Sequence, residues 1–254
     1  HYAYGDLTVS QVMAKSSNIG AFQIVRAIGA NRYHDYITRF GFGETTGVRL
    51  SGESAGQIHV PETWSNTSFS RMTMGYEVGV TALQMLSALS IIANEGRLIQ
   101  PRIVLSVEDE TGRKTRSDHP QFVRQVLQPR AAAAVRDTLV AATSKGGTGT
   151  AGALPNFTVA GKTGTARKYS AKEKRYLEGR YVVSFMGFFP AEAPEIMGIV
   201  VVDDPKAPAG QLYGGSIAAP IFREMSRQIV AYQGIQPETS PLDYAHNVRS
   251  APWN

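Results

Sequence analysis

Residues 157–202 read FTVAGKTGTARKYSAKEKRYLEGRYVVSFMGFFPAEAPEIMGIVVV and contain three apolar segments, each of the length of a β-strand. The pattern predicts strands over residues 157–165, 181–189 and 195–202. No helical pattern separates these segments. They are therefore expected to form neighbouring strands of an antiparallel sheet.

Helical patterns lie on both sides of this strand-rich stretch. Apolar residues recur at helical spacing over residues 8–29, 82–94 and 130–143, and again over residues 217–232. In the last helix, the residues expected to share one face are Ile221, Met225 and Ile229. Helices that are segregated from an antiparallel sheet indicate an α+β architecture.

Other stretches carry weaker signals. Asn31 is expected to cap a helix that Gly41 ends, and residues 102–109 alternate as a strand does. Residues 41–80 are rich in Gly, Ser and Thr and predict a long irregular connection. The expected division is a helical subdomain of about residues 1–100, a sheet subdomain of about 101–234 and a loose tail, 235–254.

The composition narrows the classes of function. The chain has 254 residues, a net charge of +5 and no cysteine, which excludes disulfides and a thiol nucleophile. Its five histidines lack metal-ligand spacing, and no apolar run approaches the roughly 18 residues of a membrane span. The densest basic run, residues 167–180, also contains Glu173 and Glu178, so we interpret it as a solvated loop. Neither a cofactor nor a nucleic-acid partner is predicted.

Two glycine motifs resemble nucleotide-binding loops but fail on their context. Residues 147–152, GTGTAG, have the dinucleotide spacing, yet a predicted helix precedes them where a strand is required. Gly161-Lys162-Thr163 resembles the end of a P-loop, yet Asn156 stands where the first glycine is required. A nucleotide site is therefore not expected.

The string Lys162-Thr163-Gly164-Thr165 lies on the first predicted strand. Side chains alternate along a strand, so both threonine hydroxyls would point to one face and could hold a carboxylate beside the lysine charge. The glycine would allow another backbone to come close. The alternative is an ordinary strand with a turn residue.

The string Ser16-Ser17-Asn18 interrupts the first helical pattern. A serine hydroxyl can relay a proton, and an asparagine can hydrogen-bond an amide. The alternative is that these residues only cap the following helix.

The two strings together, in this order, carry a family resemblance. They are similar to the second and third motifs of penicillin-binding proteins and serine β-lactamases, S-x-N and K-T-G. The flanking segments that extend the resemblance over residues 5–232 are KSSNIG at 15–20, MGY at 74–76, VTALQ at 80–84, IANEG at 92–96, VAGKTGTA at 159–166, FMGFFP at 185–190, GG at 214–215 and APIF at 219–222. The chain thus resembles the class B penicillin-binding proteins, which are monofunctional peptidoglycan transpeptidases, and most closely the division-type members.

One motif of that family is missing from the chain. The family nucleophile is the serine of S-x-x-K, and no serine here has a lysine three residues later. The resemblance implies that this motif would precede His1 and that the chain alone is inactive. It also implies a penicillin-binding/serine β-lactamase-like fold, an antiparallel sheet flanked by helices plus an all-helical subdomain, present only in part.

For the intact domain, the resemblance implies a D,D-transpeptidase that crosslinks stem peptides through a serine acyl-enzyme. Ser16 would pass a proton to the leaving amine, and Asn18 would hold the substrate amide. Thr163 and Thr165 would bind the terminal carboxylate with the charge of Lys162, and the Thr165 N–H would form half of the oxyanion hole. The other substrate-binding residues implied are Ser17, Gly164, Ala166 and Tyr76.

The resemblance further implies peptidoglycan stem peptides as substrates, β-lactam antibiotics as covalent inhibitors, and cell-wall synthesis or division proteins as partners, without a metal or organic cofactor. It implies a location at the periplasmic face of the inner membrane, anchored by a segment upstream of this chain. Two alternatives stay open. One is a serine β-lactamase, which shares the motifs; the other is a non-catalytic module that senses β-lactams or serves as a divisome scaffold, which the missing S-x-x-K favours.

Overall fold

The structure is a computed structural model that describes residues 4–208 and 210–238. Its helices are α1 (Val9–Lys15), α2 (Asn18–Ile28), α3 (Ala30–Arg39), α4 (Ser68–Met72), α5 (Ala82–Ala93), α6 (Pro129–Thr143) and α7 (Ala218–Gln233). Its strands are β1 (Arg97–Gln100), β2 (Ser106–Glu108), β3 (Lys114–Ser117), β4 (Gln121–Gln125), β5 (Ala160–Ser170), β6 (Arg175–Phe189) and β7 (Ile196–Asp203). Among the described residues, no helix has both the length and the apolar character needed to cross a membrane.

The chain packs into two compact units, each built from segments that are distant in sequence. The first combines the residues up to Ala27, the segment Thr73–Tyr76 and the chain from Ala134 onward. The second combines Ile28–Met72 and Glu77–Ala133. The division expected from the sequence followed chain order and so differs from these units, because packing joins segments that the chain order separates.

The first unit contains the predicted antiparallel sheet, in the strand order β5-β6-β7. Thr163 pairs with Phe185, and Phe185 pairs with Val200 on the far side. Helix α7 packs on β6 and β7, and its Phe222 ring lies 4.8 Å from the Phe185 ring. The α+β architecture is therefore confirmed, and its core lies between this helix and the sheet.

The charged run 167–180 is not the loop that the sequence predicted. The pairing of β5 with β6 continues through it, with Tyr169 opposite Tyr176 and Ser170 opposite Arg175. The two tyrosine rings pack edge to face at 5.3 Å, which stabilises the end of the hairpin. Because neither strand buries a face there, the apolar alternation that marks a strand is absent from the sequence.

The face of the last helix that carries Ile221 and Met225 is not its buried face. Ile221 and Met225 are 41% and 51% exposed. The buried residues are Ala218, Ala219, Phe222 and Ser226. Small side chains let the helix backbone approach the sheet closely, and one phenylalanine then fills the space between them.

The second unit is organised around α5. Thr81 and Gln84 form a capping box at its start, and the buried Gln84 amide donates to the carbonyls of Glu44 and Ala55, each at 2.8 Å. These bonds order part of the connection predicted to be irregular. The core of this unit comprises Ile91, Leu98 and Val126, with Phe40 and Leu127 packed against it.

Three details of the second unit differ from the sequence expectations. Strand β2 is shorter than the predicted strand 102–109, and it pairs with the unpredicted β3. Strands β1 and β4 form a second pair that the sequence did not indicate. Helix α3 is capped by Gly29, whose φ is 84°, and not by Asn31, which lies inside it. Glycine adopts this backbone with positive φ at little cost, so α3 can begin with only Gly29 between it and the end of α2.

The expected tail, 235–254, falls mainly on residues 239–254, which lie outside the described residues. The part that is described is packed. Ile235 is buried in the core of the first unit, and Glu238 accepts a hydrogen bond from the Thr158 backbone N–H. The first unit therefore extends at least to residue 238.

Candidate active site

The break between α1 and α2 presents Ser16. This residue ends α1 in a left-handed conformation, with φ 53° and ψ 45°, and it is exposed. The next residue, Ser17, accepts a hydrogen bond from the Gly20 N–H at 3.1 Å and so caps the start of α2. The structure thus gives the two serines different positions: Ser17 holds the helix, and Ser16 is left free to meet another element.

Lys162 on β5 is the group that Ser16 meets. Its Nζ donates to Ser16 Oγ at 2.8 Å and to the Thr163 carbonyl at 3.0 Å. Burial disfavours the charged ammonium and lowers the pKa of Lys162 from 10.5 to about 8. The two sequence motifs therefore meet through a lysine that is mostly protonated at pH 7 but gives up its proton more readily than an exposed lysine does.

The two threonines of the lysine motif lie side by side along the segment that precedes α7. Thr165 Oγ1 accepts a hydrogen bond from the Gly214 N–H at 3.1 Å, and Thr163 pairs through its hydroxyl with Thr148 at 3.0 Å. The Thr165 hydroxyl has accepted a bond, so it still has its own proton to donate. This arrangement leaves donor capacity that suits an anion.

Gly164 lies between these threonines in a tightly packed position. A Cβ atom on Gly164 would lie 2.4 Å from Ser184 Oγ, and one on Gly214 would lie 2.5 Å from the Gly164 carbonyl oxygen. The absence of both side chains lets the segment before α7 lie directly against β5. The Gly214 N–H can reach Thr165 only because of this approach.

Thr148 is a site residue that the sequence reasoning missed. It lies in the GTGTAG stretch, residues 147–152, which is not expected to bind a nucleotide. Three glycines near it, Gly149, Gly152 and Gly161, surround the Phe185 ring, and a Cβ atom on any of them would lie 2.5–3.0 Å from that ring. The spacing of the glycines could have signalled close packing, but no local pattern indicated a partner for the threonine.

The remaining predicted residues are not drawn into one cluster with Ser16. Asn18 is the first residue of α2 and is exposed, and Ala166 lies on β5 opposite Val182. Tyr76 packs against Tyr176 with ring centroids 5.3 Å apart, so it lies at the β5–β6 hairpin. The binding roles of these residues, and of Ser17 and Gly164, stay predictions.

Chemically, the site has a hydroxyl held by a half-buried cation beside two further hydroxyls on one strand. Such a set can move a proton and hold an anion, as acyl-transfer sites require. The described part of the chain places these groups on an antiparallel sheet and on the break between two helices, and together they form a candidate acyl-transfer site.

Comparison with known proteins agrees with this class. The family model for the penicillin binding protein transpeptidase domain matches residues 1–227, so the chain belongs to that family. PbpB of Mycolicibacterium smegmatis is 30% identical over 92% of this chain, stage V sporulation protein D of Bacillus subtilis is 32% identical over 99%, and the probable D,D-transpeptidase PenA of Neisseria gonorrhoeae is 33% identical over 96%. These relatives are class B penicillin-binding proteins. The chain spans only 37%, 38% and 39% of their respective lengths.

Solved structures show the same fold. Penicillin-binding protein 3 of Mycobacterium tuberculosis, in complex with ampicillin, matches with a TM-score of 0.82 and 30% identity over 92% of this chain and 53% of that one. The transpeptidase domain of Burkholderia pseudomallei penicillin-binding protein 3 matches with a TM-score of 0.81 and 29% identity over 94% and 68%. The fold is therefore that of part of a penicillin-binding transpeptidase domain.

Proposed function

We propose that this chain supplies the substrate-holding and proton-relay groups of a peptidoglycan D,D-transpeptidase. The single observation that carries the proposal is the 2.8 Å hydrogen bond from Lys162 Nζ to Ser16 Oγ. It joins the two motifs that the family uses, in the fold that the family has. The relatives named as D,D-transpeptidases support the same assignment.

The substrate group that these residues suit is the terminal carboxylate of a D-alanyl-D-alanine stem peptide. Thr163 and Thr165 would donate their hydroxyl protons to it, and Lys162 would add a positive charge. Charge-assisted hydrogen bonds of this kind are about twice as strong as neutral ones. The carboxylate of a β-lactam has the same charge, which explains why such a drug would occupy the site.

The proton path begins at Ser16. Because its oxygen accepts from Lys162, its own hydroxyl proton can be donated toward the leaving group. A serine nucleophile forms its ester bond to the D-alanine carbonyl while its hydroxyl proton passes to the lysine of its own motif, the peptide C–N bond breaks, and the departing amine takes the Ser16 proton. Lys162 returns a proton to Ser16 and regains one from the lysine of the nucleophile motif. An amine of a neighbouring stem then displaces the serine to form the crosslink, and the proton that this amine loses restores the serine hydroxyl.

The nucleophile itself would come from an S-x-x-K motif outside these 254 residues, since none of their serines has a lysine three positions later. We therefore expect the isolated chain to form no covalent adduct with a penicillin. The periplasmic location, the upstream membrane anchor and the partners in cell-wall synthesis or division are part of the same proposal and rest on the relatives.

The test is an intact-mass spectrum of the full-length gene product after incubation with a penicillin. The expected result is one adduct that persists for hours, and the Ser16→Ala variant should acquire it far more slowly. An adduct that forms and disappears within minutes would instead identify a β-lactamase. The absence of any adduct from a product that contains S-x-x-K would contradict the proposal.

A second candidate function is a non-catalytic module that binds β-lactams or serves as a divisome scaffold. This candidate requires that the whole gene product, like these 254 residues, has no serine with a lysine three positions later. It predicts a full-length gene product without that motif, in which a penicillin binds reversibly and leaves no mass shift. Sequencing the gene upstream of His1 separates the two candidates before any assay.

A further inference from the structure

The loop of residues 144–149 follows α6 in the chain. It contacts the end of α1 on one side and strand β5 on the other. On one side, Lys15 Nζ donates to the Gly146 carbonyl at 3.0 Å, and the Thr148 N–H donates to the Ala14 carbonyl at 3.2 Å. On the other side, the Thr148 hydroxyl lies 3.0 Å from that of Thr163. The loop therefore forms a second link between the two motifs, parallel to the direct bond between Lys162 and Ser16.

The base of this loop is fixed by its packing against α6. The Gly149 N–H donates to the Ala142 carbonyl at 2.9 Å, and a Cβ atom on Gly147 would lie 2.2 Å from that same oxygen. These contacts hold the loop from the α6 side, whereas the bond to Ala14 and the bond from Lys15 hold it from the α1 side. The tip, at Gly146, is exposed, and Lys15 is the side chain that holds it.

The contact between Thr148 and Thr163 determines which hydroxyl proton is available. If Thr148 donates to Thr163, then Thr163 keeps its own proton for a bound anion. If Thr163 instead donates to Thr148, the Thr163 proton is already engaged in that bond and cannot be donated to the anion. An anionic ligand stabilises the first arrangement, and only a loop held in place keeps Thr148 close enough to provide it.

We propose that Lys15 is a positioning residue for anion binding at this site. By holding Gly146, it keeps Thr148 against Thr163, and it acts on the ligand only through that pair. The effect on ligand binding rests on the proposed function, whereas the contact between Lys15 and the loop does not.

The test compares Lys15→Met, Lys15→Arg and Lys145→Met in the full-length gene product. Lys145 is an exposed lysine of the same loop, so its variant is a matched loss of charge. Hydrogen exchange of the peptide that covers residues 144–149 should quicken about tenfold in Lys15→Met, as expected for the loss of one charge-assisted hydrogen bond. It should stay unchanged in Lys145→Met and recover in Lys15→Arg.

The second measurement separates binding from chemistry. In Lys15→Met, the dissociation constant of the noncovalent penicillin complex should rise about tenfold, while the rate constant of acylation within that complex changes less than about twofold, because Lys162 and Ser16 are untouched. If hydrogen exchange of residues 144–149 were the same in Lys15→Met as in the wild type, the contact between Lys15 and the loop would be contradicted. Faster exchange with an unchanged dissociation constant would overturn the positioning role.

If the wild-type protein forms no adduct, it is the proposed function that fails. The positioning role is then judged with N-acetyl-D-alanyl-D-alanine, whose reversible affinity needs no nucleophile. An affinity that is equal in wild type and Lys15→Met would reject the role, and a roughly tenfold loss that Lys15→Arg restores would support it.

Discussion

Lys162 and Ser16 are 146 positions apart in the chain, and a 2.8 Å hydrogen bond from the lysine Nζ to the serine Oγ joins them. The serine is exposed because the chain turns into a left-handed conformation at its position, and the lysine is half-buried on a strand. One partner thus faces solvent, while the other is partly shielded from water. This pairing is why the serine can be expected to relay protons and not merely to cap a helix.

The acylation rate should depend on the protonation of Lys162. Burial lowers the pKa of this lysine to about 8, so its positive charge is lost as the pH rises through that value. If the charged form holds the carboxylate and donates to Ser16, the second-order rate constant for penicillin acylation should fall above about pH 8. The measurement is a pH profile of the full-length gene product, which reports on the free enzyme.

The Lys162→Arg variant is the control for that profile. A guanidinium stays protonated throughout this range, so any residual acylation should show no fall near pH 8. A wild-type profile that stays flat to pH 9.5 would show that the charge of Lys162 is not needed in the rate-determining step.

Ser16→Ala should mainly slow acylation, whereas Ser17→Ala should mainly lower the free energy of unfolding. Removing the Ser16 hydroxyl should slow acylation about 10²–10⁴-fold, the range typical of a lost general acid or base, with little change in the free energy of unfolding. Removing the Ser17 hydroxyl should cost about 1 kcal/mol of stability, because it takes away the cap of α2, and should slow acylation far less than removing the Ser16 hydroxyl does. Acylation kinetics and urea unfolding of both variants are the measurements. Equal losses of activity in the two variants would mean that the break between α1 and α2 contributes through its structure and not through the Ser16 hydroxyl.

Gly214→Ala should displace the segment before α7 from β5. The added Cβ atom would lie 2.3 Å from the Ser184 carbonyl oxygen and 2.5 Å from that of Gly164, and neither backbone can move alone. We expect a loss of about 1–3 kcal/mol in the free energy of unfolding, together with weaker penicillin binding, because the bond to Thr165 is broken.

Gly112→Ala is a useful comparison for that variant. Gly112 has a φ of 79° in an exposed turn, and a Cβ atom there would meet no atom within 4 Å. Its substitution should lower the free energy of unfolding by about 1 kcal/mol through backbone strain alone. Penicillin binding should stay unchanged. If Gly214→Ala behaved in the same way, the contact between Gly214 and Thr165 would have no part in binding.

Phe222→Ala should be far more destabilising than Ile221→Ala. Phe222 is 3% exposed and packs on both Phe185 and Phe189, whereas Ile221 is 41% exposed. Removing a buried phenylalanine typically costs about 3–5 kcal/mol, and removing a half-exposed isoleucine costs much less. The measurement is chemical denaturation of each variant. Similar losses for the two would contradict the buried face assigned to α7.

Local patterns in the sequence were enough to predict part of this molecule. The apolar segments of residues 157–202 predicted three neighbouring strands, and the interruption at Ser16 predicted a break between two helices. These predictions succeeded because strand alternation, helical spacing and capping are properties of a few neighbouring residues. The two motif strings, at residues 16–18 and 162–165, could be recognised for the same reason, since each is contiguous.

Other features were decided only by the tertiary structure. The bond between Lys162 and Ser16, the loop that brings Thr148 to Thr163, and the use of Phe222 in place of Ile221 all depend on segments that meet from distant parts of the chain. What allows them to meet is the close packing of glycines around Phe185 and along β5, where a missing side chain lets a backbone or a ring approach. The sequence by itself determined which chemical groups are present and which local elements carry them; the tertiary structure decided which of those groups touch, because contact depends on the shape of surfaces that no local pattern encodes.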